Sequence, residues 1–93
     1  MKVSYHEAKR AKTLLERGLD FADAGVVFDD THLIIPDDRR DYGEERYQTI
    51  GHLGPAIVMV VWTPRGDARH IISMRKCNDA EKQFLREHLD RSG

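Results

Sequence analysis

A basic stretch in the last third of the chain, "RHIISMRK" from Arg69 onward, carries the side chains of a possible phosphate site. In a regular strand, Arg69, Ser73 and Arg75 share one face, whereas Ile72 and Met74 lie on the opposite, apolar face. Guanidinium groups remain charged at neutral pH and bind two phosphate oxygens at once. The polar face therefore predicts a surface for a phosphate backbone, and the apolar face predicts packing under helices.

Ribonuclease chemistry fits such a surface because RNA supplies its own nucleophile, the 2′-hydroxyl. Arginines that stabilise the pentavalent phosphate, with one proton carrier beside them, are sufficient for cleavage. This reaction requires no metal ion and no cofactor. Further basic residues that could join the site are Arg65 and Lys76, with Lys9 and Lys12 on the first predicted helix. The alternative is a solvated strand face on which basic side chains only protect the sheet.

The charges are unevenly distributed along a nearly neutral chain. Fifteen basic residues oppose sixteen acidic residues among 93, which by itself does not indicate a nucleic-acid-binding protein. Residues 29–45 contain seven acids and two arginines, however, whereas residues 65–76 contain four bases and one acid. The length predicts one small domain over residues 1–93, so we expect the site to be a surface or a shallow groove.

Other common sites lack their residues in this sequence. The five histidines have no partner at helical or strand spacing, and Cys77 is the only cysteine, so no zinc site is predicted. Cys77 and His70 could form a nucleophile pair, but packing at a strand-to-helix junction is the simpler interpretation of Cys77. One cysteine, no leader-like apolar region and no membrane-spanning run predict a cytoplasmic protein without a membrane partner.

The N-terminal residues predict a strand followed by a helix. A short strand near residues 2–5 precedes a helix from about His6 to Arg17, which Gly18 ends. Ser4 and Glu7 could form a capping box at the start of this helix, although the strand uses the same residues.

A second, short helix and two strands are predicted next. Asp20 is a plausible N-cap for the helix. Its apolar face contains Phe21, Ala24, Val27 and Phe28. The segments "THLIIPD" and "ERYQTIGH" have strand character, and the charged loop "DRRDYGEE" lies between them.

A hairpin and a last helix complete the predicted domain. The apolar run Ala56–Trp62 is typical of a central strand with most of both faces covered. The turn Pro64–Asp67 returns the chain, so that Arg69–Arg75 pairs with this run. Asn78 and Glu81, at capping-box spacing, begin the last helix. The order β-α-α-β-β-β-β-α predicts an α+β domain, a twisted antiparallel sheet of four to five strands with three helices on one face.

Three blocks of the sequence occur in an informative order: "AKRAKTLLERGLDFADAGVVFDD", "GEERYQTIG" and "RGDARHIISMRK". Each block alone is loose, but three at this spacing are specific. They resemble the BrnT toxins of bacterial type II toxin–antitoxin modules, which have a RelE-like ribonuclease fold. The family pattern has a lysine-bearing helix ended by glycine, then Phe-x-x-Ala-x-x-Val-Phe-x-Asp, Glu-Glu-Arg-x-x-x-Ile-Gly, and Arg-Gly-Asp…Ile-Ile-Ser-Ala-Arg-Lys. The resemblance covers nearly the whole chain.

The resemblance implies a protein that cleaves RNA without a metal ion and thereby arrests growth. It also implies a BrnA-like ribbon-helix-helix antitoxin that wraps the toxin and contacts operator DNA for the complex, and we expect an even number of each chain. The positions that match the family are Lys9, Glu45, Arg46, Arg65, Ser73, Arg75 and Lys76. The predicted catalytic residues are Arg65, Arg75, Lys76, Lys9 and Glu45. The predicted RNA-binding residues are Arg46, Arg69, Ser73 and Lys12.

His70 stands where many relatives carry an arginine. It titrates near neutral pH, but strand alternation predicts that it shares the face of Ile72 and Met74. We therefore rank it below the other proton carriers and expect His70→Ala to reduce stability more than cleavage. Two other classes of function stay open: a non-catalytic module that binds protein or nucleic acid through the basic sheet face, and a small structural domain.

Overall fold

The computed structural model describes residues 2–92, with side chains through residue 89. The elements in chain order are β1 (Lys2–Tyr5), α1 (Glu7–Arg17), a 3₁₀ turn (Phe21–Asp23), α2 (Ala24–Asp29), β2 (His32–Pro36), β3 (Tyr47–Leu53), β4 (Ala56–Arg65), β5 (Ala68–Lys76) and α3 (Asp79–Ser92). The predicted order and the α+β class are confirmed. Within residues 2–92, no helix is long and apolar enough to cross a membrane.

One sheet contains the five strands in the order β1-β5-β4-β3-β2, so β4 is central, as its apolar run predicts. Strands β2 to β5 pair as antiparallel neighbours. Strand β1 instead runs parallel to the first half of β5, from Lys2 opposite Ala68 to Tyr5 opposite Ile71, so the sheet is mixed and not purely antiparallel as predicted. The turn between β4 and β5 begins at Gly66, whose φ of 58° costs glycine little.

Helices cover both faces of the sheet, which corrects the expectation that they lie on one face. On the first face, Phe21 and Phe28 from the 3₁₀ turn and α2 pack with Val60 of β4. On the second face, Leu85 of α3 packs with Met59 of β4. Alternate residues of a strand point to opposite faces, and because both sets in β4 are apolar, each requires a cover. We call these surfaces the α2 face and the α3 face.

Strand β5 contains an irregularity that changes which side chains share a face. Val61 of β4 lies opposite Ser73 and Trp62 lies opposite Ile71, so Ile72 has no direct partner. An extra residue of this kind forms a β-bulge, which interrupts the alternation of side chains. Residues before the bulge therefore exchange faces relative to residues after it.

The predicted polar face formed by Arg69, Ser73 and Arg75 is wrong for this reason. Ser73 and Arg75 follow the bulge and lie on the α3 face. They pair with Val61 and Met59 of β4, which belong to the core on that face. Arg69 and Ile71 precede it and lie on the α2 face. His70, between them, lies on the α3 face together with Ser73 and Arg75.

The helix ends follow local sequence signals with one exception. The Glu81 N–H donates to Asn78 Oδ1 and the Asn78 N–H donates to Glu81 Oε1, each at 2.9 Å, so the predicted capping box of α3 is confirmed. Asp20 caps the 3₁₀ turn as predicted. The capping box between Ser4 and Glu7 does not form, because Ser4 belongs to β1.

Gly51 of β3 lies where α2 crosses the sheet. A Cβ atom at this position would be 2.8 Å from Val27 Cγ1 and 3.1 Å from His32 Cβ. We expect Gly51→Ala to lower the free energy of unfolding by about 1–3 kcal/mol, because relief of these contacts requires α2 or β2 to shift. Urea unfolding measures the change. Gly25→Ala is the control, since a Cβ atom there meets nothing within 4 Å. Equal stability of Gly51→Ala and the parent would contradict this close packing.

Candidate active site

An open groove lies between α1 and β5. Strand β1 pairs only with the first half of β5, up to Ile71, and α1 lies beside the second half. We call this space, of about 250 Å³, the α1–β5 groove. The residues that line it are Lys9, Lys12, Thr13, Glu16, Arg17, Ile72 and Ser73. It contains three of the predicted site residues.

Two arginines hold α1 in place along the groove. The Arg17 Nη1 group donates to the main-chain oxygen of Met74 at 2.9 Å. Near the other end of the helix, the Arg10 guanidinium donates to both carboxylate oxygens of Asp20, at 2.8 and 3.1 Å. These contacts fix both ends of α1 and thereby the stems of the lysines that it presents to the groove.

His70 occupies the part of β5 that joins this groove to the β4–β5 hairpin. Its Nδ1 atom lies 2.9 Å from Ser4 Oγ in the neighbouring strand β1, which fixes the ring orientation. On its other side, β4 places Thr63 opposite His70, and the Thr63 hydroxyl donates to the main-chain oxygen of Glu45 at 2.6 Å. The expectation that His70 shares a face with Met74 is wrong because of the bulge at Ile72.

The surroundings of His70 keep its imidazole neutral near pH 7. Partial burial lowers its pKa below the ordinary value of 6.5, and the positive charges of Arg65 and Lys9 lower it further. Glu44 opposes this shift. A neutral imidazole can accept a proton from a substrate. The cations around it attract the negative charge of that substrate.

Sequence reasoning missed Ser4 and Glu44 as neighbours of His70. Ser4 lies 66 residues away along the chain, and its contact depends on the parallel pairing of β1 with β5. Glu44 belongs to the loop before β3. No local signal in the sequence could have identified either contact.

The cations of the groove are available to a ligand. Lys9, Lys12 and Arg65 have exposed side chains, and none of them forms a salt bridge with another residue between 2 and 89. Ser73 is half-buried on the groove floor. Lys9, Lys12 and Ser73 therefore line one open space, and Arg65 lies close enough to His70 for its charge to act on the imidazole.

Arg75, by contrast, is bound within the protein. Its guanidinium donates to both carboxylate oxygens of Glu81, at 2.8 and 2.7 Å, and these hydrogen bonds raise its pKa. They also hold the pKa of Glu81 below its ordinary value. Arg75 thus joins β5 to the first turn of α3.

Three further predicted residues do not line the α1–β5 groove. Lys76 is exposed at the end of β5 and lines a second groove beside α3. Glu45 lies in the loop before β3, with its carboxylate 3.4 Å from the Tyr47 hydroxyl. Arg46 lies over the Tyr42 ring, 3.9 Å from its centroid, and its guanidinium is 3.4 Å from the Glu44 carboxylate.

Arg69 lies on the opposite side of the sheet from the α1–β5 groove. Its guanidinium carbon is 4.2 Å from the ring centroid of Phe28 and 4.6 Å from that of Trp62, an arrangement typical of cation–π contact. Its Nη1 atom is buried without a hydrogen-bond partner among residues 2–89, and burial lowers its pKa. The structure therefore gives Arg69 a packing role, not the predicted place in an RNA groove.

Cys77 is buried at the junction of β5 and α3, where it packs with Leu85, as predicted. Burial raises its pKa to about 11, so the thiol stays protonated and weakly nucleophilic. Among the described residues, no group of His, Cys, Asp and Glu side chains is arranged to hold a metal ion.

Comparison with known proteins identifies the family of this chain. No curated protein matches this sequence. A family model, described as the ribonuclease toxin BrnT of type II toxin–antitoxin systems, matches residues 5–81. This range contains α1, the hairpin and all nine predicted site residues. The chain therefore belongs to the BrnT family of ribonuclease toxins, whose type II systems pair each toxin with an antitoxin.

Proposed function

We propose that this protein is a metal-independent endoribonuclease that arrests growth and that cleaves RNA in the α1–β5 groove. The observation that carries this proposal is the neutral His70, held by Ser4 and flanked by the cations Arg65 and Lys9, which form no salt bridge among residues 2–89. A base, a cationic phosphate clamp and an open groove are the parts that cleavage by the RNA 2′-hydroxyl requires.

In the proposed reaction, His70 removes the proton of the 2′-hydroxyl. The 2′-oxygen attacks the adjacent phosphorus and forms a new P–O2′ bond, while the P–O5′ bond breaks. The ammonium group of Lys9 supplies a proton to the departing 5′-oxygen. The products are a 2′,3′-cyclic phosphate and a 5′-hydroxyl, so no water or external reactant is consumed in this step.

The other groove residues bind the strand in this proposal. Arg65 stabilises the charge that develops on the phosphate, and Lys12 and Ser73 contact the backbone beside it. Glu45 and Arg46 approach from the loop before β3. Of the residues predicted from the sequence, Arg75 acts as a positioning residue that orients the end of β5 through Glu81.

The antitoxin in this proposal is a ribbon-helix-helix protein that binds operator DNA for the complex, with an even number of each chain. Strand β2 supports a protein partner because it is the last strand of the sheet and its outer edge has no partner strand among residues 2–92. Such an edge accepts an additional strand. We place the complex in the cytoplasm, where RNA is accessible.

Digestion of purified RNA tests the proposed reaction. We expect cleavage to persist in EDTA and to leave 2′,3′-cyclic phosphate ends, which end-labelling detects. We also expect induction of this gene alone to stop growth and co-expression of the adjacent gene to restore it. Loss of cleavage in EDTA with recovery in Mg²⁺, or RNA binding without any cleavage, would contradict the proposal, and the latter would identify a binding module.

A further inference from the structure

A second concave surface lies beside α3 and has no role in the chemistry described above. Its space is about 350 Å³. The residues that line it are Pro55, Ala56, Ile57, Lys76, Lys82 and Arg86. We propose that this surface, which we call the α3 groove, binds a phosphate of the same RNA strand outside the cleavage groove. The proposal rests on the proposed function, since it gives the substrate a second contact.

The charge of the α3 groove is the first argument. Three of its six lining residues are cations, and none is an acid. Neither Lys76 nor Arg86 forms a salt bridge with a residue between 2 and 89. Lys82 has only Asp79, at 4.0 Å, whose side chain is fully exposed. Because like charges repel one another, three cations around one concavity favour a bound anion.

The positions of these cations on rigid elements are the second argument. Lys82 and Arg86 are four residues apart on α3 and so project from one side of the helix. Lys76 ends β5, three residues after Ser73 of the α1–β5 groove. At a rise of about 3.3 Å per strand residue, the two grooves are separated by about 10 Å along β5. In this proposal, a single extended strand of RNA runs along β5 from one groove to the other.

The remaining lining residues favour a nucleotide over a bare inorganic anion. Pro55, Ala56 and Ile57 form an apolar wall beside the three cations. A nucleotide has an anionic phosphate together with an apolar ribose edge and base surface. The mixed lining matches this combination, whereas hydration would compete with the binding of a small ion in an open site.

Salt dependence of RNA binding tests this inference without cleavage. The probe is a single-stranded RNA with 2′-O-methyl groups, which removes the nucleophile. For single strands, a plot of the logarithm of the association constant against the logarithm of the salt concentration has a slope of about −0.7 per phosphate contact. We expect Lys82→Gln and Arg86→Gln each to weaken RNA binding, and we expect the double variant, which loses the contact with this one phosphate, to reduce the slope by about 0.7. Arg40→Gln, which removes one charge from the loop between β2 and β3, is the matched control and should leave the slope unchanged.

The outcomes separate this inference from the proposed function. If the double variant binds RNA with a smaller slope than the parent, and the parent does not cleave unmodified RNA, the α3 groove is supported and only the ribonuclease mechanism is overturned. An unchanged slope in the double variant would overturn the α3 groove even if cleavage is normal. Weaker binding of the adjacent gene's product with an unchanged RNA slope would likewise overturn the RNA assignment and identify an acidic protein segment as the ligand.

Discussion

His70→Asn is expected to slow RNA cleavage by about 10²–10⁴-fold, the range typical of a lost general base. Asparagine can still place a polar atom near Ser4 Oγ, so the β1–β5 contact is retained while the titrating group is removed. This expectation reverses the ranking from the sequence, because His70 lies on the groove side of β5 and not in the apolar core. We expect the stability of the variant to differ little from that of the parent.

The pH profile distinguishes a base from a structural histidine. Only neutral imidazole accepts a proton, so the cleavage rate should fall as pH falls through the pKa of His70. Because burial and Arg65 lower that pKa, the midpoint of the decline in the free protein should lie below the ordinary value of 6.5. This acid limb should be absent from the residual activity of His70→Asn.

Two variants control the His70 experiment. His52→Asn removes a half-buried histidine in β3 and should leave cleavage unchanged. Ser4→Ala keeps the imidazole but removes its orienting contact, so it should reduce the rate less than His70→Asn does. A folded His70→Asn variant that cleaves RNA at the parental rate and retains the acid limb would exclude His70 as the base.

Arg65→Ala is expected to reduce the cleavage rate by about 10²-fold or more, which corresponds to about 2.7–4 kcal/mol for one donor to the transition state. Arg65 is exposed at the end of β4, makes no salt bridge within residues 2–89, and contributes to the low pKa of His70. Its removal should change stability by less than about 0.5 kcal/mol. Arg65→Lys should recover only part of the rate, because an ammonium group cannot bind two phosphate oxygens in the same planar arrangement.

Arg75→Ala provides the contrast with Arg65→Ala. Arg75 is already bound to Glu81, so its loss should lower stability by about 1 kcal/mol or less, as for a partly exposed ion pair. Two measurements on both variants and on Arg40→Ala separate charge stabilisation by Arg65 from the structural ion pair of Arg75. Single-turnover cleavage reports the first role, and thermal unfolding reports the second. Parental cleavage by a well-folded Arg65→Ala variant would exclude an arginine clamp at the hairpin.

The order of the elements was predictable because it depends on signals within a few residues of one another. The capping box of Asn78 and Glu81 formed as predicted, since both partners lie on one turn of the chain. The central position of β4 followed from its unbroken apolar run, because such a run is stable only with both faces covered. Family membership was likewise evident from motif order.

The composition of the site depended on the tertiary structure. Sequence alternation placed Arg69 with Ser73 and His70 with Met74, and both pairings were wrong. The bulge at Ile72 arises from the register in which β5 pairs with β4, and each strand alone has no preference that specifies this register. A shift of one residue exchanges the faces of every side chain beyond it. The sequence therefore determined which chemical groups are present on β5, and strand pairing decided that His70 meets Ser4 in the groove while Arg69 packs against Trp62.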